Sequence, residues 1–265
     1  MKELVPYVRE AGAGPGVVCI HSNASSSSQW RGLMDRLSSS HRVLAPDSFG
    51  AGRSPAWPTD RVVALRDEIA LLEPVFEAAG DPLSLVGHSY GASVALMAAL
   101  ARPERVRAIA VYEPTLFSLL EEESPRQEAA NGIRFAAADA ASAIETGDHA
   151  AAAERFIDYW MGSGTWRRMP EARQAPIAAS MVNIAGWAEA LFSEPTPLQD
   201  FALLDMPILY MTGKQSPASS RGVARLLTGV LPNVSVMEFD ELGHMGPVTH
   251  PELVNDAVAA FLAHH

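Results

Sequence analysis

Cysteine is almost missing from this chain: Cys19 stands alone among 265 residues. That excludes an internal disulfide framework, a cysteine-built zinc cluster and dithiol redox chemistry. Cys19 lies in the apolar run Val17-Val18-Cys19-Ile20, where it reads as a small buried hydrophobe rather than a reactive thiol. Lysine is scarce too, with Lys2 and Lys214 the only two, and the formal net charge is −11. No basic stripe is available to neutralise nucleic-acid phosphates, and no polybasic patch to hold an anionic membrane. Neither is expected as a partner. The acidic run Glu121-Glu122-Glu123 reads as a solvated face. Nor does any apolar run approach the ~20 residues that cross a bilayer. The opening MKELVPYVRE carries charge where a secretion signal needs an apolar stretch, so a cytoplasmic protein is expected. What is present is 48% hydrophobic residues, too many for disorder, over a length suited to one large core with room for an inserted lobe.

Short apolar runs alternate with longer stretches of helical spacing. Residues 17–20, 43–45, 83–86, 109–112, 208–211 and 234–239 read as strands. Most are continuously apolar, as expected where helices cover both faces of a parallel sheet. Residues 30–37, 62–79, 89–101, 220–231 and 251–264 read as helices. The alternation predicts an α/β fold with a mostly parallel central sheet. It breaks over 117–199, which is rich in alanine and glutamate, contains helical patterns at 136–144 and 150–159, and is cut at Met161-Gly162-Ser163-Gly164 and Met169-Pro170. This stretch reads as a helical lid over the carboxyl edge of the sheet, where open α/β sheets bind ligands. The expected division is thus core 1–116, lid 117–199, core 200–265.

The segment most informative about chemistry is Leu83-Ser84-Leu85-Val86-Gly87-His88-Ser89-Tyr90-Gly91. An apolar strand enters Gly-x-Ser-x-Gly and a helix follows at once. Such a sharp turn lifts Ser89 clear of the sheet at a helix N-terminus, with Gly87 and Gly91 where side chains would collide. Ser89 is the candidate nucleophile; the alternative is a tight turn with an inert serine. A serine hydroxyl needs a base. Of eight histidines, His264 and His265 are terminal, His41 and His149 lie in polar surroundings, His88 should point away from its neighbour Ser89, and His250 suits a loop end or helix cap. His244, in the glycine-flanked loop after the last strand, remains as candidate base, with a structural histidine as the alternative. No Asp or Glu occurs from Thr212 to Met237. The candidate acid is therefore Glu113, at the end of the preceding sheet strand; pairing of Glu113 with a lid arginine is the alternative.

Acyl chemistry also needs donors for a developing oxyanion. The backbone N–H groups of Asn23, in the loop after the first long strand, and Tyr90 are the candidates. His21 reads as a ring that fixes this loop. Residues 46–54 lack the spacing of a phosphate loop and read as a packed loop, with Asp47 and Arg53 in a structural network.

Together these segments resemble the α/β-hydrolase superfamily, in its lid-bearing serine esterase-like branch. His21-Ser22-Asn23 resembles the family's His-Gly oxyanion segment, residues 46–54 its Asp-x-x-Gly-x-Gly-x-Ser loop, and Gly243-His244 its histidine loop. Two positions depart. Ser22 stands where the family usually has glycine, and Ser216 where most members carry the acid. The resemblance allows an acid after the strand ending at Glu113, as in haloalkane dehalogenases, whose halide-binding asparagine Asn23 also matches. Those enzymes and the related epoxide hydrolases use an aspartate nucleophile, so Ser89 disfavours both activities.

The expectation is a serine hydrolase of small apolar or neutral carboxylic esters, acting through an acyl-enzyme. Phe156, Tyr159, Trp160, Met161, Trp166, Trp187 and Phe192 supply the lid's large side chains. Most are expected in its core, with Trp160 and Trp187 as candidate pocket residues. Carbon–carbon bond hydrolysis, perhydrolysis or an inactive ligand-binding role would use the same residues. No metal or organic cofactor is implied; a small-molecule substrate is, and self-association into a homo-oligomer is left open.

Overall fold

The computed structural model describes residues 4–123 and 128–265, with the side chains of Glu122, Glu123 and Glu128 outside that description. Lys2 also lies outside the described residues, and of the acidic run only Glu121 is fully described; it pairs with Arg134. Seven strands form one sheet: β1 (Val8–Ala11), β2 (Gly16–Ile20), β3 (Arg42–Pro46), β4 (Leu83–His88), β5 (Val106–Tyr112), β6 (Ile208–Gly213) and β7 (Val234–Phe239). Their spatial order is β1-β3-β2-β4-β5-β6-β7. Only β1 runs antiparallel, against β3. Sequence pattern misses β1 because its four residues include Arg9 and Glu10; backbone pairing at the sheet edge, not side-chain burial, makes it a strand.

Helices α1 (Arg31–Leu37) and α12 (Pro251–Leu262) cover one face; α2 (Leu65–Ala79), α3 (Tyr90–Ala101) and α10 (Ala218–Val230) cover the other. Alternate strand residues divide between the two layers. Val17, Cys19, Val43, Ala45, Val86, Ala110 and Leu209 join Leu33 and Val258, while Val18, Ile20, Leu44, Leu85, Ile109 and Ile208 join Leu72, Val94 and Leu227. Because both faces are covered, both sets must be apolar. Cys19 is wholly buried.

Between β5 and β6 the chain forms α4 (Ser118–Glu123), α5 (Glu128–Glu145), α6 (His149–Met161), α7 (Thr165–Arg168), α8 (Glu171–Ser180) and α9 (Ile184–Phe192), with no strand among the described residues. Asp148 caps α6, its carboxylate accepting the Ala151 N–H at 2.9 Å. Gly162 ends that helix at φ +92°. Asp158 then accepts the N–H groups of Gly164 and Trp166 at 2.6 and 2.9 Å, which sets the turn into α7. Within the helical stretch Glu171–Phe192, long enough for a bilayer crossing, an 18-residue window reaches a mean hydropathy of 1.2, a feature the apolar-run reading overlooks. It carries Glu171, Arg173 and Glu189, and Ile184, Trp187 and Leu191 are buried against the protein, so it is not a clear membrane span. A short α11 (Gly246–Thr249) precedes α12.

Candidate active site

At the carboxyl end of β4 the chain reverses into α3 within one residue. Ser89 makes that reversal at φ +56°, ψ −119°, a conformation that costs a side-chain-bearing residue roughly 1–3 kcal/mol. Its neighbours explain why it is tolerated. A Cβ on Gly91 would run into the carbonyl oxygens of Ile20 and His21, and one on Gly87 into the backbone of Ala92. Glycine at both positions lets the turn close, and the Ser89 N–H still reaches the Tyr112 carbonyl at 2.9 Å. The side chain stands at the sheet edge with 7% of its residue surface exposed.

The structure brings Ser89, His244 and Glu113 into one hydrogen-bonded line. The Ser89 hydroxyl donates to His244 Nε2 at 2.9 Å, and His244 Nδ1–H donates to Glu113 Oε2 at 2.7 Å. Glu113 leaves β5 at φ +46° and is fully buried. Its other oxygen, Oε1, accepts from Thr212 Oγ1 (2.8 Å), the Gly213 N–H (2.8 Å) and Ser216 Oγ (2.6 Å) at the end of β6. Burial pushes the Glu113 carboxyl upward, but the His244 ring and the donors from Gly213 and Ser216 outweigh it, holding the group below its ordinary value. The only ion pair of Glu113 among the described residues is with His244, so the arginine alternative is not realised. Ser216 instead donates to Glu113.

The remaining histidines fall into supporting places. His21 donates Nδ1–H to the Ser22 carbonyl at 2.7 Å and accepts the Ser48 N–H on Nε2 at 3.0 Å. It therefore ties two loops together. Ser22, through its N–H and hydroxyl, meets Gln29 Oε1 at 3.2 and 3.1 Å. Gln29 Nε2 donates to His88 Nδ1 at 3.1 Å, and His88 Nε2–H donates to the His244 carbonyl at 2.8 Å. A continuous chain thus links the Asn23 loop to the His244 loop. Its middle member, Gln29, carries no sequence signal. Asp47 accepts the N–H groups of Ser27 and Arg53 at 2.6 and 2.9 Å, while the Arg53 guanidinium lies over the Tyr7 ring; Arg53 joins that network through its backbone only. His41 and His149 are half-buried, and His250, His264 and His265 are exposed.

Burial, and after it the neighbouring His244, pushes the His88 imidazole down to about 3. A folded value below the unfolded one means stabilisation is whole above about 6.5 and is lost as the pH falls toward 3. Glu68, pushed up to about 7 by burial, works oppositely: its contribution is whole below about 4.5 and lost as the pH rises through 7. The comparison that isolates His88 is therefore with a variant. From pH 7 to pH 5, urea midpoints should give a loss of stability larger in the wild type than in His88→Gln by about 2 kcal/mol. Equal losses would place the acid sensitivity elsewhere.

Ser89 and His244 open into a cavity of ≈ 500 Å³, counting its mouth, which Asn23, Thr115 and Met245 also line. Its walls come from the β5–β6 segment: Phe117, Ile133, Phe156, Trp160, Trp187 and Phe192 among them. Trp160 and Trp187 thus sit where the pocket is expected, whereas Tyr159, Met161 and Trp166 do not reach it. Trp160 lies on the His244 ring, centroids 4.0 Å apart and planes 27° from parallel. The Asn23 loop borders Ser89 from the β2 side. Tyr90 turns its hydroxyl away to Glu68 at 3.3 Å, and its N–H lies in the first turn of α3, where the helix supplies no acceptor. No group of three or more His, Cys, Asp or Glu among the described residues is arranged to hold a metal.

This geometry can accept a carbonyl carbon at Ser89 and move a proton through His244. The family model described as "alpha/beta hydrolase fold" matches residues 15–251. An epoxide hydrolase of Caballeronia sordidicola is 38% identical over 114 residues, 39% of this chain and 32% of that protein. Only about a third of its length is matched, as with a haloalkane dehalogenase of Agrobacterium fabrum. The (E)-2-((N-methylformamido)methylene)succinate hydrolase of Acinetobacter baylyi is 24% identical over 258 residues, covering 96% of this chain and 92% of the relative. Among solved structures, an esterase from Exiguobacterium antarcticum superposes with a TM-score of 0.78 at 16% identity, covering 97% of this chain and 95% of that one.

Proposed function

On the premise that the chain belongs to the alpha/beta hydrolase fold family, we propose that it is a serine hydrolase of small neutral carboxylic esters. The observation that carries this is the line Ser89 Oγ, His244 Nε2, His244 Nδ1, Glu113 Oε2, with spacings of 2.9 and 2.7 Å. His244 takes the Ser89 proton as Oγ attacks the acyl carbon. The oxyanion develops against the N–H groups of Asn23 and Tyr90, and the imidazolium returns its proton to the leaving alcohol. Water, deprotonated by the same ring, then frees the acid. The helices of 117–199 serve as lid.

Two features narrow the substrate. Epoxide hydrolases and dehalogenases of this superfamily attack with aspartate, and here the residue is serine. The cavity is lined mainly by apolar and aromatic side chains beyond Ser22, Asn23, Thr115 and the Ser89–His244 pair, with no arginine or lysine among the described residues, which suits a neutral acyl group better than a dicarboxylate such as the substrate named for the Acinetobacter relative.

The test is a fluorophosphonate probe followed by peptide mapping, then rates on p-nitrophenyl esters of rising chain length against a vinylogous 1,5-diketone. We expect one adduct on Ser89 and faster turnover of the esters. No adduct and no ester turnover would overturn the proposal; diketone turnover exceeding the esters would replace it with carbon–carbon bond hydrolysis.

A further inference from the structure

Every proton transfer proposed above passes through a charged imidazolium at His244, in a place where water gives little help: the residue is 1% exposed. Compensation must come from what touches the ring. From β5, Glu113 accepts at Nδ1; from α10, the Ser220 hydroxyl lies 3.2 Å from the same nitrogen. From the turn after β4, Ser89 occupies Nε2. From β4 itself comes His88, its ring 5.4 Å away and held neutral by burial. These groups meet the edge of the ring or carry no charge, leaving a face to account for.

Trp160 covers a face, at 4.0 Å and 27°. The indole is itself buried, and its placement is built rather than incidental. Phe117 stacks on it, and Phe156 and Tyr159 meet it edge-on. The Tyr159 hydroxyl then bonds Ser219 Oγ at 2.8 Å, the residue beside Ser220. The α6 helix is thereby fastened to the same turn of α10 that reaches His244. A buried cation against an indole face gains more than a neutral ring does.

We propose that Trp160 is a positioning residue that favours the charged form of His244 through its π face, in addition to walling the cavity. The proposal rests on the serine hydrolase reading for its catalytic meaning, but its physical content does not. It is tested by following the His244 ring nitrogens by 15N NMR against pH in the unliganded protein, for the wild type, Trp160→Leu and Trp160→Phe. Leucine should lower the His244 pKa by about half to one and a half units, and phenylalanine by less. The acid limb of kcat/KM should move down by the same amount, with kcat reduced about 3- to 10-fold. An unchanged titration in both variants, with any loss confined to KM, would leave Trp160 as a wall and overturn the proposal. Should leucine prevent folding, the smaller shift in the phenylalanine variant decides. A downward shift in the variants, in a protein whose wild type takes no fluorophosphonate, would sink the hydrolase reading and leave the stacking effect standing.

Discussion

Ser89→Ala is expected to abolish covalent labelling and lower kcat by ~10⁴–10⁶-fold, while leaving the protein folded. The hydroxyl's one hydrogen bond among the described residues is to His244, so its removal takes away the proposed attacking atom and little else. Alanine also meets the φ of +56° with the same Cβ that serine has, so backbone strain is unchanged. No other hydroxyl among the described residues is placed to substitute. Ser22 Oγ is engaged by Gln29 and Thr115 Oγ1 by Ser93, and Ser220 Oγ meets His244 at Nδ1, on the Glu113 side, without lining the cavity. Residual turnover within tenfold of wild type, measured on a p-nitrophenyl ester with circular dichroism as the folding control, would refute the assignment.

Glu113→Gln should cost ~10²–10⁴-fold in kcat. The reason lies in which oxygen each donor holds. Three donors converge on Oε1, so a glutamine must keep its carbonyl oxygen there. Its amide NH₂ is then forced into the place of Oε2, facing His244 Nδ1. That nitrogen must accept instead of donate, the ring proton moves to Nε2, and the ring presents a proton to Ser89 where a lone pair is needed. Folding should change little, because the three donors from Thr212, Gly213 and Ser216 stay satisfied. Near-normal turnover with intact structure would point to a two-residue Ser89–His244 mechanism.

How much of this was legible beforehand depended on the range of the physics involved. The Ser89 turn is a steric matter within five residues, and Gly87 and Gly91 state it openly. Glu113 is reachable by elimination, since the stretch from Thr212 to Met237 holds no carboxylate, yet the three donors that fix its orientation come from β6 and the turn after it, on the far side of a helical segment. Gln29 was invisible. A glutamine in a short helical turn is unremarkable until folding carries it to His88. Trp160 is readable as a candidate pocket residue, just past the helical pattern at 150–159, but its contact on His244 is set by packing between elements that periodicity does not describe. The strand β1 shows the opposite limit, an element defined by backbone pairing whose side chains carry almost no pattern.

One side chain that both walls the cavity and covers the His244 ring ties two traits together. A substitution that repacks Trp160, at Phe117 or Phe156 for example, alters the shape of the pocket and the surroundings of the imidazole at once. Breadth of accepted acyl groups and proton handling would then drift jointly under mutation, and neither could be tuned at this indole without the other.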